Sequence, residues 1–233
     1  MRKVVISVSL AGALAAAAGA WALAAEPVVL APAPALDAPL AKGRGTATVI
    51  LSGGCFWGMQ DVFQHVNGVT EAISGYTGGA ADTAHYEIVS TGTTRQAESL
   101  EITYDPSVIT YGTLLRIFVS VAANPTELNY QGPDHGPQYR SMIWVENPEQ
   151  RRIAVAYLRQ LDAAHTFDAP IVTQVATAMP FYPAEAYHQN FATLHPDSPY
   201  IAMIDAPKIT ALAERFPTLY HATPTQVRVA SYR

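Results

Sequence analysis

The chain has 233 residues, 49% of them hydrophobic and 14% charged, with a formal net charge of −5. That supplies enough apolar material for one packed domain plus a leader, and it excludes disorder over most of the length. The acidic balance argues against a polyanion partner, and there is no basic stripe, no Walker-type glycine loop and no GxGxxG, so nucleic-acid and nucleotide binding are poor readings.

Met1-Arg2-Lys3 is basic, residues 4–20 are apolar and alanine-rich, and Ala22-Leu23-Ala24 supplies a small-x-small pattern. Residues 1–25 therefore read as a secretory signal, cut near Ala24 or Ala25, which makes the mature protein periplasmic or otherwise exported. An uncleaved membrane anchor over residues 4–24 is the competing reading. Residues 26–44 are rich in Ala and Pro and read as a linker of polyproline character with no packed element. The folded domain is expected over residues 45–233.

Residues 46–51 form a short, apolar, β-branched run that reads as a buried strand. Gly53-Gly54 then permits a sharp turn, and Met59, Val62 and Phe63 follow at helical spacing. Cys55 falls at the start of that helix, where free N–H groups and the macrodipole favour a thiolate. The alternative is a small buried hydrophobe. It is the only cysteine in the chain, so no internal disulfide can form, even in an oxidising compartment.

Residues 69–76 alternate as a strand that ends in Gly78-Gly79, and residues 80–94 read as a polar loop turning near Tyr86. Residues 97–105 alternate again, with Leu100, Ile102 and Tyr104 on one face and Pro106 as the stop. Glu98 shares that apolar face by period two, where an ionised carboxylate is costly. Thr110 caps a helix with Tyr111, Leu114, Leu115, Phe118 and Val119 as its stripe. The long loop over residues 122–139 has the length of a functional segment. A strand over 141–145 follows, then a helix opened by Asn147-Pro148-Glu149-Gln150. Residues 171–176 read as the last strand and 184–194 as a short helix. The order β-α-β-β-α-β-α-β suits an α+β ferredoxin-like plait, a mixed sheet with helices packed on one side, in a single domain with a long coil-rich C-terminal part.

Glu98 buried on an apolar face should hold its proton, and an acid beside a nucleophilic thiol is a general acid in waiting. A structural pairing of Glu98 with Arg95 is the alternative. The loop around Asp134, His135 and Tyr139 gathers a carboxylate, an imidazole and a phenol. Tyr86 could donate a hydrogen bond or simply pack. Phe56 and Trp57 would make an apolar floor if exposed, and ordinary core if not. The histidines show no HxxxH pairing and one cysteine is too few for a metal site. A Cys-His hydrolase with His135 or His188 as base is formally possible.

Gly53-Gly54-Cys55-Phe56-Trp57-Gly58 resembles the signature of peptide methionine sulfoxide reductase type A. The resemblance runs through Gly75-Tyr76-Thr77-Gly78-Gly79, His85-Tyr86-Glu87, Gln96-Ala97-Glu98, Tyr104-Asp105-Pro106, Leu128-Asn129 and Gln131-Gly132. It continues with Asp134-His135-Gly136, Gln138-Tyr139-Arg140-Ser141, Phe181-Tyr182-Pro183-Ala184-Glu185 and Tyr187-His188-Gln189, covering about residues 46–195. It implies that Cys55 attacks the sulfur of a methionine S-sulfoxide and that Glu98 protonates its oxygen, assisted by Tyr86 and Tyr139. Phe56 and Trp57 would hold the ε-methyl group and Asp134 would contact the substrate backbone. A sulfenic acid would remain on Cys55. The chain departs from the family pattern at Gln96, where histidine is common, at Asn124, often aspartate, and at Pro133 and Pro137, commonly Asn and Thr. Ser90 stands where many members carry a second cysteine, and the tail over 205–233 lacks the cysteines that resolve the sulfenic acid in many members. No cofactor is implied. The expected reductant is an external thiol, from a thioredoxin-like protein or a small molecule, and the expected clients are oxidised proteins and peptides, met by a monomer. A thiol hydrolase or acyltransferase, and a non-catalytic module for methionine-rich peptides, are the rival readings.

Overall fold

The structure is a computed structural model that describes residues 29–228. The expected leader over residues 1–25 lies outside the described residues.

Six strands form one mixed sheet: β1 (Ala47–Ser52), β2 (Val69–Thr77), β3 (Ala97–Tyr104), β6 (Met142–Val145), β7 (Gln174–Thr177) and β8 (Phe181–Pro183), in the order β7-β6-β1-β3-β2-β8. A separate two-stranded ladder pairs β4 (Tyr130–Gln131) with β5 (Asp134–His135). Among the described residues only the β6–β7 pair is parallel; β1, β2 and β3 pair antiparallel, with Leu51 opposite Leu100 and Tyr76 opposite Glu98. The helices are α1 (Phe56–Gln64), α2 (Tyr86–Val89), α3 (Tyr111–Ile117), α4 (Pro148–Ala163), α5 (Phe191–Leu194) and α6 (Ala206–Arg215).

Period-two alternation sorts the sheet into two faces. Val49, Leu51, Leu100, Ile102, Ile143 and Val145 face a single large core shared with Met59, Val62 and Phe63 of α1, Leu114 and Leu115 of α3, Ile153 and Leu161 of α4 and Leu212 of α6. Ile50, Met142 and Trp144 point the other way into a small cluster with Phe181. The helices therefore cover one side of an α+β plait.

Both expected caps form. Thr110 Oγ1 accepts the amide of Thr113 at 3.2 Å, and Asn147 Oδ1 that of Gln150 at 2.9 Å, each satisfying a donor that the helix cannot. Gln150 does not return to the cap itself; its side chain accepts from Glu146 N at 2.8 Å and donates to Thr48 O at 2.9 Å, tying α4 to β1.

Three expectations need correction. The strand read over 171–176 begins later, because Val172 N and Thr173 N bond to Pro125 O (2.8 and 3.3 Å) instead of to a ladder. It is also not the last strand: β8 pairs with β2, and its prolines at the sheet edge hid it from a propensity reading. The helix read over 184–194 is broken at Asn190, whose φ of 58° is left-handed. Gln189 turns inward there, its side-chain amide donating to Ser74 O (2.8 Å) and accepting from Ser74 N (3.1 Å), as a neighbouring strand would. The C-terminal part read as coil-rich carries α6.

Residues 29–44 hold no helix or strand, yet they are not a free linker. Ala31 is fully buried; its N–H donates to Ser120 Oγ (3.0 Å) and its carbonyl accepts from Arg116 Nε (2.7 Å). Pro32 O accepts from Tyr157 OH at 2.8 Å, and Asp37 Oδ1 from Gly112 N at 2.8 Å. Among the described residues no helix is long and apolar enough to cross a membrane.

Candidate active site

β1 delivers the chain to Gly53-Gly54, and Gly54 takes φ +90°, a value that L side chains rarely adopt. Its N–H donates to Tyr139 O at 3.2 Å, which fastens the turn to the loop after β5. Cys55 follows as the N-cap of α1, half-buried. Its thiol does not behave as the helix start alone suggested. Burial pushes its pKa well above the ordinary cysteine value, and Glu98, then Asp205, push further; the Trp57 amide opposes them without prevailing. Burial and these carboxyls favour the thiol, against the helix start, which favours the thiolate.

Glu98 sits at the start of β3, only 2% exposed. Its Oε2 accepts the amide of Phe56 at 3.1 Å, an N–H that α1 leaves without an intrahelical partner. Burial dominates that bond and raises the carboxyl to about 8, so it is largely protonated at neutral pH. No ion pair with Arg95 forms; the Arg95 carbonyl instead accepts from Arg140.

Tyr86 opens α2 and Tyr139 ends a 3₁₀ turn; both are half-buried. Burial and then Glu98 raise both phenols, with Cys55 adding to each, so both remain O–H donors. Cys55, Glu98, Tyr86 and Tyr139 thus lie close enough to act on one another electrostatically.

Phe56 is buried at 1% exposure, packed on Tyr76 and His188 with ring centroids 5.8 and 4.9 Å away. Trp57 remains half-exposed. Its ring stacks on Phe191 at 3.7 Å, meets Tyr200 edge-on at 6.0 Å, and donates through Nε1 to His188 Nδ1 at 3.0 Å. Asp134, partly buried, accepts a hydrogen bond from Tyr200 OH. Burial raises its pKa and that bond counters it.

Sequence reading missed Phe191, Tyr200 and Asp205. Phe191 and Tyr200 lie outside any strong period, in short or irregular helical segments, so only their partnership with Trp57 reveals them. Neither His135 nor His188 supplies a base for a hydrolase. His135 is exposed and stacks on Tyr130, and His188 is spent on Trp57. Among the described residues there is no group of acidic, histidine or cysteine side chains able to hold a metal.

Fold and site together define an α+β enzyme with a cysteine at a helix start and a buried, protonated carboxyl beside it. A family model for peptide methionine sulfoxide reductase matches residues 47–219. Peptide methionine sulfoxide reductase MsrA 2 of Mesorhizobium japonicum is 58% identical over 187 residues, covering 80% of this chain and 96% of its own. The protein of that name from Synechocystis is 46% identical over 173 residues, 74% of this chain and 81% of its own. Among solved structures, reduced Mxr1 of Saccharomyces cerevisiae superposes with a TM-score of 0.61 at 27% identity, covering 70% of this chain and 96% of that one. Methionine sulfoxide reductase A of Corynebacterium diphtheriae gives 0.55 at 29%, covering 74% and 87%. The chain belongs to the peptide methionine sulfoxide reductase family, type A, and is a peptide-methionine (S)-S-oxide reductase.

Proposed function

We propose that Cys55 is the nucleophile that reduces methionine S-sulfoxide, in proteins and free. The observation that carries this reading is Glu98, buried and bonded to the amide next to Cys55, where burial favours its protonated form. Cys55 Sγ attacks the sulfoxide sulfur while Glu98 passes its proton to the oxygen, and Tyr86 and Tyr139 donate hydrogen bonds to that oxygen as charge develops. The sulfur–sulfur bond made by the attack then breaks as the oxygen, now a hydroxyl, passes from the substrate sulfur to Sγ: methionine leaves, Cys55 becomes a sulfenic acid, and the thiol proton replaces the one that Glu98 gave. Trp57, stacked on Phe191 and flanked by Tyr200, forms the apolar wall for the ε-methyl group, with Phe56 supporting it from the core. Asp134 contacts the substrate backbone.

With no second cysteine in the chain, two equivalents of an external thiol close the cycle: one displaces water to give a mixed disulfide and the second releases Cys55 as thiol. A thioredoxin-like protein or a small thiol fills this role. The leader over residues 1–25 supports export, and with it the repair of oxidised exported proteins by a monomer. One equivalent of methionine S-sulfoxide without reductant should yield one methionine and add one oxygen to Cys55 by mass spectrometry. Methionine release with Cys55 unmodified, or undiminished in Cys55→Ser, overturns the assignment.

A further inference from the structure

Asp205 is a buried carboxyl that these steps leave unused. It closes a π-helical turn (Ile201–Asp205) and stands at the N-cap of α6. It is 1% exposed; Oδ1 lies 3.4 Å from Lys208 Nζ, and Oδ2 is buried with no hydrogen-bond partner. A buried polar atom without a partner is costly, and such atoms cluster where the cost serves another purpose.

Its location indicates which. A Cβ built on Gly58 would stand 1.9 Å from Asp205 Oδ1. Gly58 is the third residue of α1, so the first turn of the helix that carries Cys55 has been cleared of a side chain and a carboxyl put in its place. A helix start favours anions, through its free N–H groups and its dipole. A carboxylate against that turn takes up the same field that would otherwise stabilise a Cys55 thiolate.

We propose that Asp205 is a positioning residue for the reaction: seated in the space left by Gly58, its carboxylate offsets the N-terminal field of α1 at Cys55, so that the nucleophile rests as a thiol between substrates. The proposal rests on Cys55 being the nucleophile. Its use follows from the single cysteine, because a resting thiolate with no resolving partner in the chain would be open to adventitious oxidation.

The groups that face Asp205 are Lys208 of α6, Asp61 of α1 and Asp134 of β5; Tyr200, from its own segment, also feels it. Burial and the two aspartates favour the neutral acid, Lys208 favours the anion, and the balance stands at about 6. Asp205 therefore gains its charge between about pH 5 and 7. Cys55 additionally faces Glu98 and Asp134.

The test is the pH dependence of Cys55 alkylation by iodoacetamide in the full chain, which has no other cysteine to react. In the wild type the logarithm of the rate should rise with a slope below one between about pH 5 and 7, where Asp205 charges and holds the thiol back. In Asp205→Asn that shallow region should disappear and the rate at pH 7 should increase about tenfold, one unit in the Cys55 midpoint, with the high-pH plateau unchanged. A purely structural role would move the melting temperature or the plateau and leave the midpoint in place. An unmoved or raised midpoint in folded Asp205→Asn overturns the proposal. If that variant does not fold, the wild-type profile decides, and a straight line of unit slope through pH 6 overturns it. Alkylation needs no turnover, so failure here is distinct from failure of the nucleophile assignment, which sulfoxide reduction by Cys55→Ser would reveal.

Discussion

The two sides of Cys55 are built differently. On the acid side, Glu98 is anchored in β3 at the middle of the sheet, paired with β1 and β2, and its orientation is set by the Phe56 amide. On the aromatic side, Trp57 leans on Phe191 from a four-residue helix and on Tyr200 at the edge of a π-turn. The proposed general acid stands on strands that cannot shift without breaking ladders. The aromatic wall proposed for the substrate stands on short segments held by side-chain contacts. Chemistry should therefore be lost through the first side and binding through the second.

The largest effect tests the shared centre. Cys55→Ser should abolish sulfoxide reduction in a dithiothreitol-coupled assay, since no other thiol exists in the chain. Glu98→Gln follows, with kcat lowered about 10²- to 10⁴-fold, the usual worth of a general acid, and KM little changed. In the wild type kcat/KM should decline as pH rises through about 8, where Glu98 loses its proton, and that limb should be missing in Glu98→Gln. A matching signature appears in stability. The folded-state pKa of Glu98 is raised from 4.5 to about 8, so the native state binds the extra proton between these values and stability falls as pH rises across that window. Glu98→Gln should show a flatter melting temperature between pH 5 and 8; an identical slope would mean that Glu98 is ionised in the fold.

The acid side was also the legible side. Glu98 announces itself as a carboxyl on the face of Leu100 and Ile102, and Cys55 as a thiol after a glycine turn, because strands and long helices impose their periods on the sequence. The plait followed from the same periods. What escaped notice depends on tertiary contacts that leave no local period. Gln189 imitates a strand partner of β2, β8 lies between prolines, and the segment over 29–44 packs through isolated hydrogen bonds. The helix start that favours a thiolate at Cys55 is a local feature, whereas burial, Glu98 and Asp205, which oppose it, arrive from elsewhere in the chain.

On the binding side, Tyr200→Phe removes the donor that Asp134 accepts. Hydrogen bonds to charged groups contribute about 1.5–3 kcal/mol, so KM for a sulfoxide peptide should rise by about tenfold or more, with kcat nearly kept. Free methionine sulfoxide, which offers less backbone to Asp134, should be affected less. Equal losses on both substrates would place Asp134 away from the peptide backbone.

Phe191→Ala should have the smallest effect and is the sharpest test of the division between the two sides. Its ring lies 3.7 Å from that of Trp57 and nearly parallel, at 10°. Such pairs contribute about 0.5–1.5 kcal/mol beyond area, so losing this one should raise KM about twofold to tenfold by freeing the indole. The bond from Trp57 to His188 remains, which limits the loss, and Phe191→Tyr should restore the wall because it keeps the stack. The pH profile of kcat should not move, since nothing at Glu98 has changed. A fall in kcat that Phe191→Tyr does not rescue would show that the aromatic side also sets the position of Cys55, and the two sides would have to be treated as one.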